Sequence, residues 1–366
     1  MSKTTLLTLL SAALLVVLAF ASVQGFEVTD TIILERFGGY YGLAYNPVRG
    51  EIFLTNGDFH LVYVISEQTH SVVATIPVGH IPSAIAYNPV KGQMLVTNFG
   101  SNIVSVISAS DYTMTATIPV GHRPMGIAVA PDKRKIFVAN YGSDTVSIIS
   151  DDDHSLIAAI PVGKMPCTLA YDYAKDEVFV GHAGCNQVLA ISASTHSIIA
   201  NITVDGLPIS LAYCAEKGEI YVANHNFSSV SVISTSNYAV KATIPVGQQP
   251  SALAYDDESG QIFVANSRSK SVSIISTENS SVIATITLEG EPQGICYDSG
   301  KKELYVAFSE NNKVAVVSTF SPNSTSPPQN NSIVYHTLIA VSASLAIVAL
   351  TALLYKRLRL KRAYNQ

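Results

Sequence analysis

The stretch Ile118–Ile149, IPVGHRPMGIAVAPDKRKIFVANYGSDTVSII, contains the unit from which most of the chain is built. Two turn-rich loops, VGHRP and NYGSD, separate short apolar runs, and KIFVAN (Lys135–Asn140) lies between them. The pattern returns without insertions, and each repeat begins 42 residues after the last, as from 79 to 121 and from 121 to 163. A fixed period near 40 with four strand-like runs per unit predicts a β-propeller. The repeats begin at Phe37, Gly79, Gly121, Gly163, Asp205, Gly247 and Glu289.

The two ends of the repeat region complement each other. Glu27–Arg36 matches the fourth run of a repeat, whereas the last repeat lacks that run and continues into SPNSTSPPQNNS. Residues 27–320 number 294, which is seven times 42. The first strand can therefore complete the last blade and leave that blade with no unpaired edge. The sequence predicts an all-β fold, a seven-bladed β-propeller of four-stranded antiparallel blades closed by the N-terminal strand.

Residue types indicate the order of strands within a blade. The fourth run contains proline in several repeats, and proline is confined to edge strands because it cannot donate to a ladder. We therefore expect the fourth strand to be outermost. The first run carries alanine in six repeats and Cys296 in the seventh, and such small residues suit the crowded axis of a propeller.

Column by column, the second run ends in FLTN, LVTN, FVAN, FVGH, YVAN, FVAN and YVAF, and the third run ends in serine in all seven repeats. This region, residues 27–320, resembles the YVTN family of β-propeller repeats, which is common in archaeal surface-layer-type proteins. The resemblance implies the fold and a cell-surface setting. Similar repeats also occur in seven-bladed redox and lactonase propellers, which place a metal, quinone or haem at the mouth of the channel.

The terminal segments predict export and anchoring. Residues 1–25 are typical of a signal peptide, with an uncleaved anchor as the alternative, and the propeller is expected over 26–320. Residues 321–332 form a Ser/Pro/Asn-rich stalk. Residues 333–355 are long and apolar enough for a transmembrane helix, with a buried core helix as the alternative. The basic residues of 356–366 predict a cytoplasmic tail and an extracellular propeller, a single-pass type I arrangement.

Charge excludes one class of partner. Charged residues make up 13% of the chain. The propeller region holds all 27 acidic residues and 16 of the 22 basic ones, so its net charge is 16 − 27 = −11. Such an acidic domain does not favour nucleic-acid phosphates. Extracellular proteins or glycans are the partners we expect.

The candidate binding face is built from the loops that enter each blade and the loops between second and third strands, because loops of all blades converge there. Its recurring asparagines have a structural alternative, since the side chain can bond local backbone in a turn. The histidines do not recur and are the better candidates for function, including a metal or haem site. The candidates are Asn56, Asn98, Asn140, Asn224, Asn266, His80, His122, His182, His225, Arg123 and Lys164.

Further candidates concern modification. Asn201, Asn226, Asn279, Asn323 and Asn330 lie in N-x-S/T sequons and are glycosylation candidates on an exported chain. Cys167 and Cys185 lie in loops on one face of a single blade, so a disulfide and two free thiols are both open. Cys214 and Cys296 are expected to be buried. His70, His154 and His196 share a repeat position on the opposite face and are expected to be solvated.

Two functional classes follow from these patterns. The leading hypothesis is a membrane-anchored surface propeller that acts as a binding, adhesion or surface-layer scaffold, because uniform blades carry no insertion that builds a pocket. The alternative is an extracytoplasmic propeller enzyme, a metal- or cofactor-dependent oxidoreductase or lactonase-like protein with its site at the channel mouth. The sequence contains no CxxCH, GxSxG, P-loop, HExxH or zinc spacing, and it predicts neither a cofactor nor a resident metal.

Overall fold

The computed structural model describes residues 25–36, 38, 39 and 42–319. These residues form 28 strands and two 3₁₀ turns, Pro131–Lys133 and His225–Phe227. The strands in chain order are β1 Phe26–Ile33, β2 Leu43–Asn46, β3 Glu51–Asn56, β4 Leu61–Ser66, β5 Ser71–Pro77, β6 Pro82–Asn88, β7 Gln93–Asn98, β8 Ile103–Ser108, β9 Met114–Pro119, β10 Pro124–Ala130, β11 Lys135–Asn140, β12 Thr145–Ser150, β13 Leu156–Pro161, β14 Pro166–Asp172, β15 Glu177–His182, β16 Gln187–Ser192, β17 Ile198–Thr203, β18 Pro208–Cys214, β19 Glu219–Asn224, β20 Ser229–Ser234, β21 Val240–Pro245, β22 Pro250–Asp256, β23 Gln261–Asn266, β24 Ser271–Ser276, β25 Ser281–Thr287, β26 Pro292–Asp298, β27 Glu303–Phe308 and β28 Lys313–Thr319.

The strands form seven four-stranded antiparallel sheets, one for each blade. Six blades take four consecutive strands, from β2–β5 in blade 1 to β22–β25 in blade 6. Blade 7 has the order β1-β28-β27-β26, so the N-terminal strand supplies its outer edge. Phe26 pairs with Thr319 and Ile33 with Lys313 along that edge. The predicted number of blades and the predicted closure are both confirmed.

The first strands of neighbouring blades contact one another around the ring, and the contact between β2 and β26 completes the circle. The fourth strands are the outer edges. In β5, for example, exposed side chains alternate with half-buried or buried ones, whereas β3 is buried along its whole length. The proline at the end of β5, β9, β13 and β21 therefore lies on an edge strand, as predicted.

Apolar side chains fill the spaces between blades. Seven clusters of buried residues each draw on two adjacent blades. Phe137 of blade 3, for instance, packs with Val178 and Val180 of blade 4. Ile32 and Leu34 of the first strand pack with Tyr305 of blade 7 and Ile52 of blade 1. Since each blade buries both faces of its sheet against neighbours, the hydrophobic effect stabilises the closed ring rather than an isolated blade.

The predictions for residues 1–24 and 321–366, which include the stalk, the transmembrane helix and the basic tail, lie outside the described residues. Within the described part of the chain, no helix has the length and apolar character needed to cross a bilayer.

Candidate ligand-binding face

One face of the ring is formed by the loops that enter each blade and by the loops between second and third strands; we call it the entry face. His80, His122, Arg123 and Lys164 lie on it with exposed side chains. Their loops are held in place by a recurring contact. The backbone N–H of His80 donates to Ser101 Oγ at 2.9 Å, and that of His122 donates to Ser143 Oγ at 2.9 Å. The second-to-third strand loop thereby positions the entry loop of the same blade.

The five recurring asparagines do not contribute to this surface, because Asn56, Asn98, Asn140, Asn224 and Asn266 are completely buried. Asn140 Nδ2 donates to Thr145 Oγ1 at 3.1 Å and to Ser147 Oγ at 2.9 Å. The asparagines of blades 5 and 6 make the same two contacts with serines five and seven residues on. The recurring asparagines are therefore structural, as the alternative held, but in blades 3, 5 and 6 their amides bond hydroxyls of the third strand and not the backbone of a turn. Asn56 differs, because its Nδ2 donates to Arg36 O at 3.2 Å.

His182 occupies the asparagine position of blade 4 and is also buried, so its assignment to the binding surface is wrong. Its Nδ1 lies 3.3 Å from Gln187 O, and burial lowers its pKa. The residue seven positions on is the apolar Leu189 instead of serine. Blade 7 shows a similar exchange, Phe308 with Ala315. Where the asparagine is replaced, the hydroxyl residue seven positions on is therefore replaced by an apolar one.

A cleft opens on the entry face between blades 2 and 3, with a volume of about 470 Å³. The Arg123 guanidinium lies over the Phe99 ring, 5.6 Å from its centroid, and the Phe99 and Tyr141 ring centroids are 6.1 Å apart. Asn102 Oδ1 accepts the Arg123 backbone N–H at 2.8 Å and fixes the left-handed backbone of that residue. The lining residues are Ile81, Phe99, Gly100, Asn102, His122, Arg123 and Gly142.

The aromatic and basic character continues into blade 1. The His60 and His80 rings meet edge to face with centroids 4.5 Å apart, and the Arg36 guanidinium lies 5.1 Å from the Phe59 centroid. In blades 2 to 4 the loops of this face carry His80, His122, Arg123 and Lys164, while Asp144 is their one carboxylate. Arg123 and Lys164 are thus two cationic side chains against one carboxylate, so this part of the face has a small positive excess, although the propeller as a whole is acidic.

The histidines are not brought together as a metal site. Within the described ranges, no group of three or more His, Cys, Asp or Glu side chains could hold a metal ion. His225 is separate from the cleft, and its Nδ1 lies 3.2 Å from Pro250 O. Lys164 belongs to the next entry loop and does not line the cleft.

Cys167 and Cys185 are not joined in the structure, since all four cysteines are free thiols. Cys167 Sγ instead donates to Gly181 O at 3.5 Å and Pro208 O at 3.2 Å. Ser83 and Ser251 make the equivalent contacts in blades 2 and 6. Cys167 is thus a buried counterpart of serine that links two blades, and burial raises its pKa to about 12. Cys214 and Cys296 are buried, as predicted.

The three sequons within the described residues have exposed asparagines: Asn201 on the outer strand of blade 4, Asn226 on the entry face of blade 5, and Asn279 on the opposite face of blade 6. Asn323 and Asn330 lie outside the described part of the chain. All three exposed sequons are in blades 4 to 6, so the cleft between blades 2 and 3 carries none.

The prediction that His70, His154 and His196 are solvated is wrong. His70 Nδ1 lies 2.9 Å from Asp30 Oδ2, and its Nε2 lies 3.1 Å from Glu303 Oε2 of blade 7. His196 Nε2 lies 2.9 Å from Lys135 Nζ of blade 3. Burial lowers the pKa of His154 and of His196. This turn position contacts the preceding blade, which explains its recurrence.

The sequence patterns did not single out the tyrosines at the end of the first strands, which face the other mouth of the channel. A second cavity of about 680 Å³ lies there among blades 3, 4 and 5. Tyrosine follows the small residue of the first strand in six of seven repeats: Tyr45, Tyr87, Tyr171, Tyr213, Tyr255 and Tyr297. This recurrence of tyrosine is the sequence signal that could have identified the second cavity.

No family model matches the chain, and no curated protein matches it in sequence. Among solved structures, hydrazine synthase of Kuenenia stuttgartiensis has a similar fold, with a TM-score of 0.70 and 18% sequence identity. The match covers 78% of this chain and 97% of that one. At this identity the likeness shows the fold alone. Because 1673 solved chains match, the fold does not single out a function.

Proposed function

We propose that this chain is a cell-surface propeller of the YVTN type, akin to archaeal surface-layer proteins, which binds acidic glycans in the cleft between blades 2 and 3. The observation that carries the proposal is the Arg123–Phe99 pair. An arginine stacked on a ring is partly preorganised and can still present its planar donors to a carboxylate or sulfate. The rings of Phe99 and Tyr141 offer apolar surface to a sugar ring.

The charge of the cleft supports an anionic ligand. His122 and Arg123 lie in one entry loop, and His80 and Lys164 occupy the corresponding loops on either side. Clefts lined by one sign of charge raise the local concentration of oppositely charged ligands. The binding experiment also distinguishes an acidic glycan from a protein ligand with an acidic surface patch.

The display of the propeller outside the membrane is supported by the signal-like residues 1–25, the apolar residues 333–355 and the basic residues that follow them. The exposed sequons of blades 4 to 6 fit an exported protein, and glycans there would leave the cleft clear. Accessibility of the propeller to protease on intact cells, and a mass shift after glycosidase treatment, test this part of the proposal.

The binding test uses the purified full-length chain on an array of neutral, carboxylated and sulfated glycans, followed by calorimetry. The variant His122→Gln/Arg123→Gln changes the blade 3 loop GHRP to GQQP, which blade 6 already has at Gly247–Pro250. Gln249 has the same left-handed backbone as Arg123, so the variant retains a sequence that this fold accepts. Loss of a charge-assisted contact predicts about 10- to 100-fold weaker binding of acidic glycans.

The control is Gln248→Ala in blade 6, which we expect to leave the affinity unchanged. Binding of acidic glycans that is equally strong in the double glutamine variant would overturn the assignment of the cleft. Binding of a protein without any glycan would overturn the choice of ligand. Elemental analysis and visible absorbance of the same sample test the enzyme alternative, which a stoichiometric metal or chromophore would favour.

A further inference from the structure

The second cavity lies at the mouth opposite the entry face, and its walls are aromatic. Tyr173 and Tyr213 meet edge to face, with ring centroids 5.5 Å apart and an interplanar angle of 87°. Tyr173 is 61% exposed, so most of its ring surface is open to solvent. Leu169 and Leu211 line the cavity between the blades and are nearly buried. Aromatic walls over an apolar floor suit a compact ligand.

Carboxylates lie beside two tyrosines of this mouth, Tyr171 and Tyr213. Tyr171 Oη donates to both oxygens of Asp132, at 2.8 and 3.0 Å, and Asp132 lines the cavity. Behind them, Asp172 is fully buried. Its Oδ1 accepts two backbone N–H groups, whereas its Oδ2 has no hydrogen-bond partner among residues 25–36, 38, 39 and 42–319. Burial raises the pKa of Tyr213, and the Asp172 carboxylate raises it further.

The chain already places one ammonium group here. Lys133 Nζ lies 3.6 Å from Asp132 Oδ2 and 3.5 Å from Asp176 Oδ1. The other bases of this region are occupied elsewhere: Arg134 pairs with Asp152 at 3.2 Å, and Lys175 Nζ lies over the Tyr238 ring. Two carboxylates, those of Asp132 and Asp176, therefore share one ammonium, and this group of side chains retains negative charge.

We propose that this cavity binds organic cations, meaning primary or quaternary ammonium groups, with the Tyr173 and Tyr213 rings as the aromatic wall and Asp132 as the counter-charge. A cation over an aromatic face is attracted by the ring quadrupole, and carboxylates nearby add Coulomb attraction. The site is separate from the cleft of the entry face and does not depend on what binds there. The net charge of −11 over the propeller favours the approach of cations.

The test titrates the purified full-length chain with tetramethylammonium and with putrescine, by calorimetry at low ionic strength. The comparison compounds are tert-butanol, a neutral compound of similar size, and acetate. We expect saturable binding of the two cations only. Tyr173→Ala should weaken it about 3- to 30-fold, the range of a cation–π contact. Phe227→Ala is the matched control, because Phe227 is 63% exposed and lies on the entry face.

A second variant distinguishes a cation-binding site from an anion-binding site. Lys133→Gln removes the resident ammonium, so cation binding should become tighter, whereas an anion site would become weaker. The inference is overturned if tert-butanol binds as well as the cations, if acetate binds and Lys133→Gln weakens it, or if no compound saturates below ~100 mM. Unchanged cation binding in Tyr173→Ala would also overturn the inference. Circular dichroism of this variant shows separately whether it is folded.

Discussion

Asn140→Ala tests whether the buried asparagines are structural. The substitution removes the hydrogen bonds to Thr145 Oγ1 and Ser147 Oγ and leaves both hydroxyls without that partner in a buried site. Two hydrogen bonds at about 1 kcal/mol each, with the cost of the orphaned hydroxyls, give about 2–4 kcal/mol of lost stability. A propeller of 294 residues has an unfolding entropy of about 0.6 kcal/mol/K, so the melting temperature should fall by about 3–7 °C.

The assay is thermal unfolding followed by circular dichroism, completed as a double-mutant cycle with Ser147→Ala. Because each single variant orphans its partner, the double variant should lose about 1 kcal/mol less than the sum of the two. Asn226→Ala, at an exposed site, is the control and should change stability by less than about 0.5 kcal/mol. Strictly additive losses, or a loss from Asn140→Ala as small as that of the control, would refute the reasoning.

Three further predictions follow from buried groups. Burial lowers the pKa of His182 below its ordinary value of 6.5, so the unfolded chain binds a proton more readily than the folded one, and stability should fall as the pH drops below about 6.5. The variant His182→Asn/Leu189→Ser should reduce that fall in melting curves recorded between pH 7 and 5. An unchanged pH profile in the variant would contradict this prediction. Gly121→Ala should destabilise the propeller by about 1–3 kcal/mol, because the added Cβ would lie 2.4 Å from Ser143 Oγ. Gly39→Ala is the control, because a Cβ there would meet no atom within 4 Å. Equal melting temperatures of the two variants would count against this prediction. Cys167→Ser should keep the wild-type melting temperature within about 2 °C, because serine makes the equivalent contacts in two other blades. The buried Cys167 thiol should also react with a maleimide more slowly than the Cys185 thiol. The reverse order of labelling would show that the Cys167 thiol is accessible.

The period of 42 residues was sufficient to predict the fold, because it specifies the number of blades and the complementary ends together. The apolar run Lys135–Asn140 coincides with β11, since the turn residues on either side of it are strong signals. The candidate site was predicted in part. His122 and Arg123 lie in the cleft, whereas their aromatic partner Phe99 belongs to the adjacent blade and was not identified.

Contacts between blades were the main source of error. Within one blade, sequence neighbours become spatial neighbours through hairpins, and the pattern is readable. Across a seam, the partners are about one repeat or more apart, as with Tyr171 and Asp132 or His196 and Lys135. The polarity of a turn residue does not show whether the preceding blade covers it. Residues such as His70 therefore look solvated in sequence although they are half-buried in the ring.

The position of β28 has a mechanical consequence. Thr319, the last described residue, ends a strand that is hydrogen-bonded to β27 on one side and to β1 on the other. A force applied through the chain beyond Thr319 is therefore shared by two ladders, and extraction of β28 must break both. If the fourth strand of blade 7 came from the C-terminus, the same force would peel a strand held on one side only. Under such a force, β1 would hold β28 in the sheet from its outer side.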